Sequence, residues 1–257
     1  MVNYNERYRS GYMTDFEGLY EACRAAAVRE VLHNKQYFPS PPSLILDIAC
    51  GQGRYFPILQ AAFPNAPIIG LDIAEAGVQK AKQTFPDYHY SVCTCEQMTL
   101  ANSSVDFIFS IETLEHVDDA DKTVQEWARV LKPGGKLLFT TPCANRFSLE
   151  WFLMAFSGGL QPSADGYGRF RRDEPGHLRR LRTHHVRAMF AANHLTLQAA
   201  LFRSHFFTTL AHDGLYQRRP KSPRVRSIAY QLAMLDWRLF RHLPNGASML
   251  VLAVKNA

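Results

Sequence analysis

The sequence has no stretch approaching the roughly 18 consecutive apolar residues that a membrane span requires. Its opening, MVNYNERYRSGY, has no apolar run of the kind a secretory leader needs. Paired cysteines are also lacking. Cys23, Cys50, Cys93, Cys95 and Cys143 are odd in number and irregularly spaced. Cys93 and Cys95 stand one residue apart, not the two typical of zinc knuckles, and no second pair follows. Neither a disulfide framework nor a metal centre is expected, and the thiols read as buried and reduced in a cytoplasmic protein. Repeats and low-complexity tracts are absent, which excludes solenoids and tails. Acidic residues are scarce in one part only: residues 151–257 carry 5 against 16 basic ones, a net +11, while residues 1–150 carry 18 against 13, a net −5. With 257 residues, 47% of them hydrophobic and 20% charged, the chain has material for one large core. A miniprotein, a collagen-like chain and a disordered chain are excluded, and the charge asymmetry suggests two jobs within one fold.

A helical pattern over 4–33 places Leu19, Cys23, Ala26, Ala27 and Val31 on one face. The Pro39–Pro42 segment ends it. Short apolar runs then alternate with helix-like stretches. The runs lie at 43–49, 67–72, 88–92, 105–110 and 136–141, and helices are expected near 54–63, 75–84 and 119–131. Strand, helix, strand at this spacing implies right-handed crossovers and a parallel sheet covered on both faces. After residue 142 the rhythm breaks. Expected there are a short apolar helix at 147–156, a helix from Thr183 to about Asn193, strands at 195–202 and 248–255, and an amphipathic helix at 224–243, with an irregular stretch at 204–222.

The chemistry is concentrated in Leu44–Gly53, LILDIACGQG. A buried strand ends at Asp47, and a turn of small residues follows through Ala49, Cys50, Gly51 and Gly53. Small residues let a ligand approach the backbone and leave amide N–H groups at a helix start. The next strand ends at Asp72, where a carboxylate can accept both hydroxyls of a ribose. Either carboxylate can instead cap the turn that follows it.

These segments, with SVDFIFSIETLEHV (104–117) and RVLKPGGKLLFTTP (129–142), resemble the class I S-adenosylmethionine-dependent methyltransferases of the small-molecule subgroup. The resemblance is close over residues 43–142. It implies a Rossmann-like α/β fold: a seven-stranded, mostly parallel sheet with helices on both faces, in a single domain. Residues 1–42 would form an N-terminal helical cap, 43–142 the cofactor core, and 143–257 the acceptor-side insertions and final strands. It implies S-adenosyl-L-methionine as cofactor and S-adenosyl-L-homocysteine as product. Asp47, Ala49, Gly51 and Gly53 would shape the methionyl end, Asp72 would hold the ribose, and Ile73 would lie against adenine. Ile111 and Glu112 would flank the reacting end. The acidic residue many relatives place at the adenine edge is replaced here by Thr94 and Cys95, followed by Glu96.

A hydroxyl acceptor must lose a proton, and histidine suits that task near neutral pH. His116 closes Glu112-Thr-Leu-Glu115-His116, which resembles the E-x-x-E-H of quinone-biosynthesis O-methyltransferases, where in some cases it serves a divalent metal. His177 lies in a G-H segment like that preceding a helix in many relatives. These two are the catalytic candidates. His184 and His185 fall at a helix start, where positive charge is disfavoured.

Seven arginines between 169 and 187 point to an anionic acceptor, a phospholipid surface or nucleic acid, or else to a solvated face. The aromatic segment 147–156 reads as a lid over an oily acceptor. In the helix at 224–243, Ile228, Leu232, Leu235, Leu239 and His242 fall near one stripe, expected to face the core, with a membrane interface as the alternative. A small-molecule or lipid-like acceptor methylated at oxygen is the leading expectation. A nucleic-acid methyltransferase is the rival, weakened because I-E-T-L rather than an N-P-P-Y-like tetrapeptide follows the fourth strand. A non-catalytic cofactor-binding subunit is the third.

Overall fold

A computed structural model describes residues 2–11, 18–174, 176–218 and 222–257. The chain runs through α1 (Tyr4–Arg9), α2 (Leu19–Leu32), β1 (Ile45–Ile48), α3 (Phe56–Ala62), β2 (Ile68–Asp72), α4 (Glu75–Thr84), β3 (His89–Val92), β4 (Val105–Ile111), α5 (Ala120–Val130) and β5 (Leu131–Pro142). There follow α6 (Leu149–Phe156), β6 (Leu160–Gln161), β7 (Arg169–Phe170), α7 (Thr183–Ala192), β8 (Leu195–Arg203), α8 (Phe207–Leu210), a π-helical turn (Ala211–Tyr216), α9 (Pro223–Phe240) and β9 (Ser248–Lys255).

Seven strands form one sheet in the order β3-β2-β1-β4-β5-β9-β8. The pairs from β3 to β5 are parallel, and β9 runs antiparallel to both β5 and β8. β1 pairs with β2 on one side and β4 on the other, so the strand order reverses there. That reversal opens a crevice at the carboxyl ends of the central strands. The apolar runs are continuous because both faces are covered. Leu46, Ile48, Ile108, Leu137 and Phe139 pack with Trp127 and Phe190 on one face. Ile45, Phe107, Phe109 and Leu138 pack with Phe56, Leu59 and Trp237 on the other.

The mostly parallel sheet matches the expected fold, and the differences lie outside it. The N-terminal helical pattern resolves into α1 and α2, and residues 12–17 fall outside the described residues. On α2 the expected face is buried through Leu19, Cys23, Ala27 and Val31. Thr183 opens α7 but does not cap it; Arg182 holds that position, and its amide donates to Nδ1 of His185 at 3.2 Å. The stretch 204–222, expected to be irregular, contains α8 and the π-helical turn.

Asp236 accounts for α8. Fully buried on α9, it accepts from the amides of His205 (2.8 Å), Phe206 (3.1 Å) and Phe207 (2.9 Å) and from the Thr208 hydroxyl (2.7 Å). A side chain from another helix thus satisfies the amides that begin a four-residue helix. The same contact sets the rotation of α9. With Asp236 inward, Ala229, Ala233 and Trp237 are buried beside it, and Ile228, Leu235 and Leu239 face out. The stripe expected to face the core is therefore exposed. Among the described residues no helix is long and apolar enough to cross a membrane.

Asp236→Ala would leave buried amides without an acceptor. It should lower unfolding stability by about 3 kcal/mol in urea titration, with Asp236→Asn costing distinctly less. Equal costs would show that hydrogen bonding to the α8 amides is not the source.

Candidate active site

The carboxyl ends of β1, β2 and β4 open into a cavity of about 770 Å³, within the range of ligand sites. After β1 the chain turns sharply, with Ala49 at φ 59° and Gly51 at φ 54°. A Cβ on Gly51 would lie 2.4 Å from the Tyr8 hydroxyl, so the turn can close under α1 only with glycine there. The Gly51 amide donates to Oδ2 of Asp72 at 2.8 Å, and the Ala74 amide donates to Oδ1 at 2.7 Å. Asp72 therefore joins the loop after β1 to the start of α4, as the capping reading anticipates. Its remaining lone pairs stay available on the cavity wall.

Asp47 and Asp72 are both buried against this cavity. Burial raises the pKa of each, and for Asp47 the neighbouring Asp72 adds to the effect. A cation before the two carboxylates would relieve that penalty, so the donor set suits the ammonium and sulfonium charges of S-adenosylmethionine. Ile73, 55% exposed, offers an apolar shelf on the same wall. Ala49, Thr94, Cys95, Glu96, Ile111 and Glu112 also line the cavity. Glu96 accepts from the Asp118 amide at 3.2 Å through Oε1. Gly53 does not line the cavity. It sits at φ 77°, where a Cβ would meet the ring of Phe56 at 2.9 Å, so it serves the turn and its packing.

Glu112 leaves β4 at φ 52°. Its Oε2 lies 3.2 Å from Nη1 of Arg24, its Oε1 lies 3.9 Å from Nη2 of Arg203, and Thr140 donates to Oε1 at 2.8 Å. Burial opposes its ionisation, but the two guanidiniums and the hydroxyl outweigh this and hold its pKa below the ordinary range. Neither arginine was singled out in the sequence. Arg24 did leave a signal: it interrupts the buried alanine face of α2 beside Cys23 and Ala27. Arg203 ends an ordinary-looking strand and left none.

His116 and His177 meet with ring centroids 4.7 Å apart and interplanar angle 67°. Nδ1 of His116 lies 3.0 Å from the Gly176 carbonyl oxygen and 2.9 Å from the Tyr4 hydroxyl. A carbonyl can only accept, so the proton belongs on Nδ1 and the lone pair on Nε2. Burial, reinforced by His177, lowers the His116 pKa to about 4. Burial likewise lowers that of His177. Glu115 is fully buried and accepts from Thr141 at 3.1 Å. Burial and the nearby Glu112 push its pKa well up, which favours the protonated acid. One ligand-type atom each from Glu115, His116 and His177 lie within 4.8 Å of one another. Glu112, which belongs to the same sequence run, turns away to Arg24 instead.

Three of the seven arginines of 169–187 are committed to acidic partners within the protein. Arg179 donates to the carbonyls of Leu114 (2.8 Å) and Asp118 (3.0 Å) and pairs with Asp165. Arg180 pairs with Glu150 at 2.8 Å and Asp173 at 2.6 Å, and Arg172 with Glu150 at 2.9 Å. The expected aromatic lid is also corrected: α6 turns Glu150 to the cavity, while Phe152 and Phe156 face out. Burying Glu150 beside Arg172 and Arg180 places the opposite face of this short helix outside.

Residues 46–139 match a family described as a methyltransferase domain. The chain is 36% identical over 124 residues to a malonyl-[acyl-carrier protein] O-methyltransferase of Methylococcus capsulatus, an alignment covering 46% of this chain and 45% of that one. It is 29% identical over 120 residues to a ubiquinone/menaquinone biosynthesis C-methyltransferase of Desulfotalea psychrophila, covering 45% and 49% respectively. The chain thus spans about half the length of these curated relatives. Among solved structures, the PH0226 protein of Pyrococcus horikoshii superposes with TM-score 0.64 at 16% identity, over 98% of this chain and 99% of that one. The matched segment holds the loop after β1, Asp72 and the end of β4, and with the sheet built around them residues 46–139 are similar to the methyltransferase domain of S-adenosylmethionine-dependent enzymes.

Proposed function

We propose that this enzyme transfers a methyl group from S-adenosylmethionine to a small-molecule or lipid-like acceptor, at an oxygen atom, in the cytoplasm. The observation that carries the reading is His116: a largely buried imidazole whose Nδ1 meets the Gly176 carbonyl and whose Nε2 lies 3.9 Å from a Glu174 carboxylate oxygen, in the cavity that also holds the loop after β1. The acidic floor at Asp47 and Asp72 supports cofactor placement. Asp72 would take the ribose, Ile73 the adenine face, and Thr94, Cys95 and Glu96 its edge. Asp47, Ala49 and Gly51 would surround the methionyl end. Five free cysteines agree with a reducing compartment.

When bound, the cofactor supplies an already activated methyl on sulfur. The chain's own residues then have to orient the acceptor, exclude water and remove a proton. Orientation alone can contribute roughly 7–11 kcal/mol in favourable cases. His116 would accept the acceptor's hydroxyl proton at Nε2, with the Gly176 carbonyl fixing its tautomer. His177, in edge contact, would close that side of the cavity. Arg24 and Arg203 would face an anionic substituent if the acceptor carries one. The relatives include both O- and C-methyltransferases, so the choice of oxygen rests on the histidine. The nucleic-acid reading loses its main support, because Arg172, Arg179 and Arg180 are internally paired.

Two outcomes test this. Calorimetry with S-adenosylmethionine should show that Asp72→Ala weakens binding by roughly tenfold or more, the loss of a charge-assisted contact; unchanged affinity would remove Asp72 from the ribose. The second concerns pH. The folded-state pKa of His116, about 4, lies below its unfolded value near 6.5. As pH falls, the unfolded chain therefore takes up the proton first. The stability linked to neutral His116 is complete above about pH 6.5 and is lost as pH falls towards 4, by about 3 kcal/mol in all. Urea titrations should show that slope in the wild type and a shallower one in His116→Gln; parallel slopes would count against a buried neutral His116.

A further inference from the structure

The outward face of α9 carries an apolar stripe that is exposed at three of its four positions. Ile228 is 52% exposed, Leu235 43% and Leu239 59%, with Leu232 half-buried between them. At 3.6 residues per turn these four fall within about 60° of arc and extend about 16 Å along the axis. The buried face, through Ala229, Ala233, Asp236 and Trp237, points another way. Leu232 packs at its inner edge on the cluster of Leu19, Cys23, Ala229 and Ala233, while Ile228, Leu235 and Leu239 leave an apolar row open to an interaction partner.

The charge around it identifies one. Arg224 and Arg238 are exposed along one flank of the stripe. Asp236 is the only acidic residue between Gly214 and the last residue, and it is fully buried beneath α8. The sequence 218–226, RRPKSPRVR, leads into the stripe with five basic residues and no acidic one. A helix with an exposed apolar stripe, arginines on its flank and no exposed carboxylate has the makings of an interfacial helix on an anionic bilayer. A second copy of the chain suits the stripe less well, because a two-fold contact would bring the same basic flanks together.

We propose that α9 docks this protein peripherally on anionic lipid surfaces, with Ile228, Leu235 and Leu239 entering the headgroup boundary and Arg224 and Arg238 meeting lipid phosphates. The proposal does not depend on the acceptor or on His116. α9 packs on the π-helical turn, whose His212 and Asp213 line the cavity. Docking would hold that side of the cavity near the membrane.

The test is flotation of the full chain with phosphatidylcholine vesicles, with and without phosphatidylglycerol. The protein should float with the anionic vesicles and not the neutral ones, and added salt should release it. The double variant Leu235→Glu, Leu239→Glu should abolish flotation. Arg224→Gln with Arg238→Gln should weaken it roughly twentyfold. All four positions are exposed, so thermal unfolding midpoints should stay at the wild-type value. Absence of flotation with anionic vesicles overturns the proposal, as does flotation that the variants leave unchanged. Light scattering that reveals a dimer dissociated by Leu235→Glu also overturns it and assigns the stripe to a second copy.

Discussion

Glu112 leaves the central strand β4 in a left-handed conformation, reaches Arg24 on α2 and lies near Arg203 at the end of β8. The strained backbone of a non-glycine residue there costs of order 1–3 kcal/mol, and two buried guanidiniums cost more unless they are compensated. One carboxylate, aided by Glu21 at 3.4 Å from Arg24, compensates Arg24, while burial and the neighbouring Arg24 still pull the Arg203 pKa down. The N-terminal helices, the middle of the sheet and its far edge thus meet at one point, at the mouth of the strand that faces the reacting end. Removing any member would strand a buried charge, typically a 3–5 kcal/mol loss. This cluster works beside the apolar packing of α2 and α9 through Leu19, Cys23, Ala229 and Ala233.

Much of the basic excess in residues 151–257 is spent in the same manner. Arg179 ties the loop after β4 to the segment before α7. Arg172 and Arg180 tie α6 to that segment through Glu150. These guanidiniums act as internal fasteners, with several donors each in a region where irregular backbone leaves many carbonyls to satisfy. Arg224 and Arg238 on α9 are instead exposed to solvent. Net charge alone does not separate the two uses; the burial of their acidic partners does.

The sheet was legible because a buried parallel strand leaves a short apolar run, and loop residues with left-handed φ leave small side chains. Leu44–Gly53 and Asp72 were read on that basis, and the cavity forms where they indicated. Gly53 was misassigned because a glycine needed by a turn and a glycine needed by a ligand look alike in sequence. The α9 stripe was misread for a related reason. Periodicity gives an apolar face, but which face packs depends on a partner far away in sequence, here the α8 amides that draw Asp236 inward. The Arg24–Glu112–Arg203 cluster joins three distant segments, so local pattern could reveal at most the oddity of an arginine among the alanines of α2.

The charges in the cavity also divide the work between binding and rate. Asp47 would face a positive charge that is largest in the bound reactant and shrinks as the methyl group leaves, and Asp72 would hold a ribose that does not change in the reaction. An interaction that weakens along the reaction tightens binding but does not lower the chemical barrier. The two carboxylates therefore belong to cofactor affinity in the proposed reading. Acceleration has to come from orientation and from proton removal. For the latter a histidine with a pKa near 4 is a weak base, well below the value matched to neutral pH. That penalty is smallest if the proton leaves an acidic hydroxyl, such as a phenol or enol, rather than an alcohol. In the proposed reading, the burial that keeps His116 neutral would favour acceptors with an acidic oxygen.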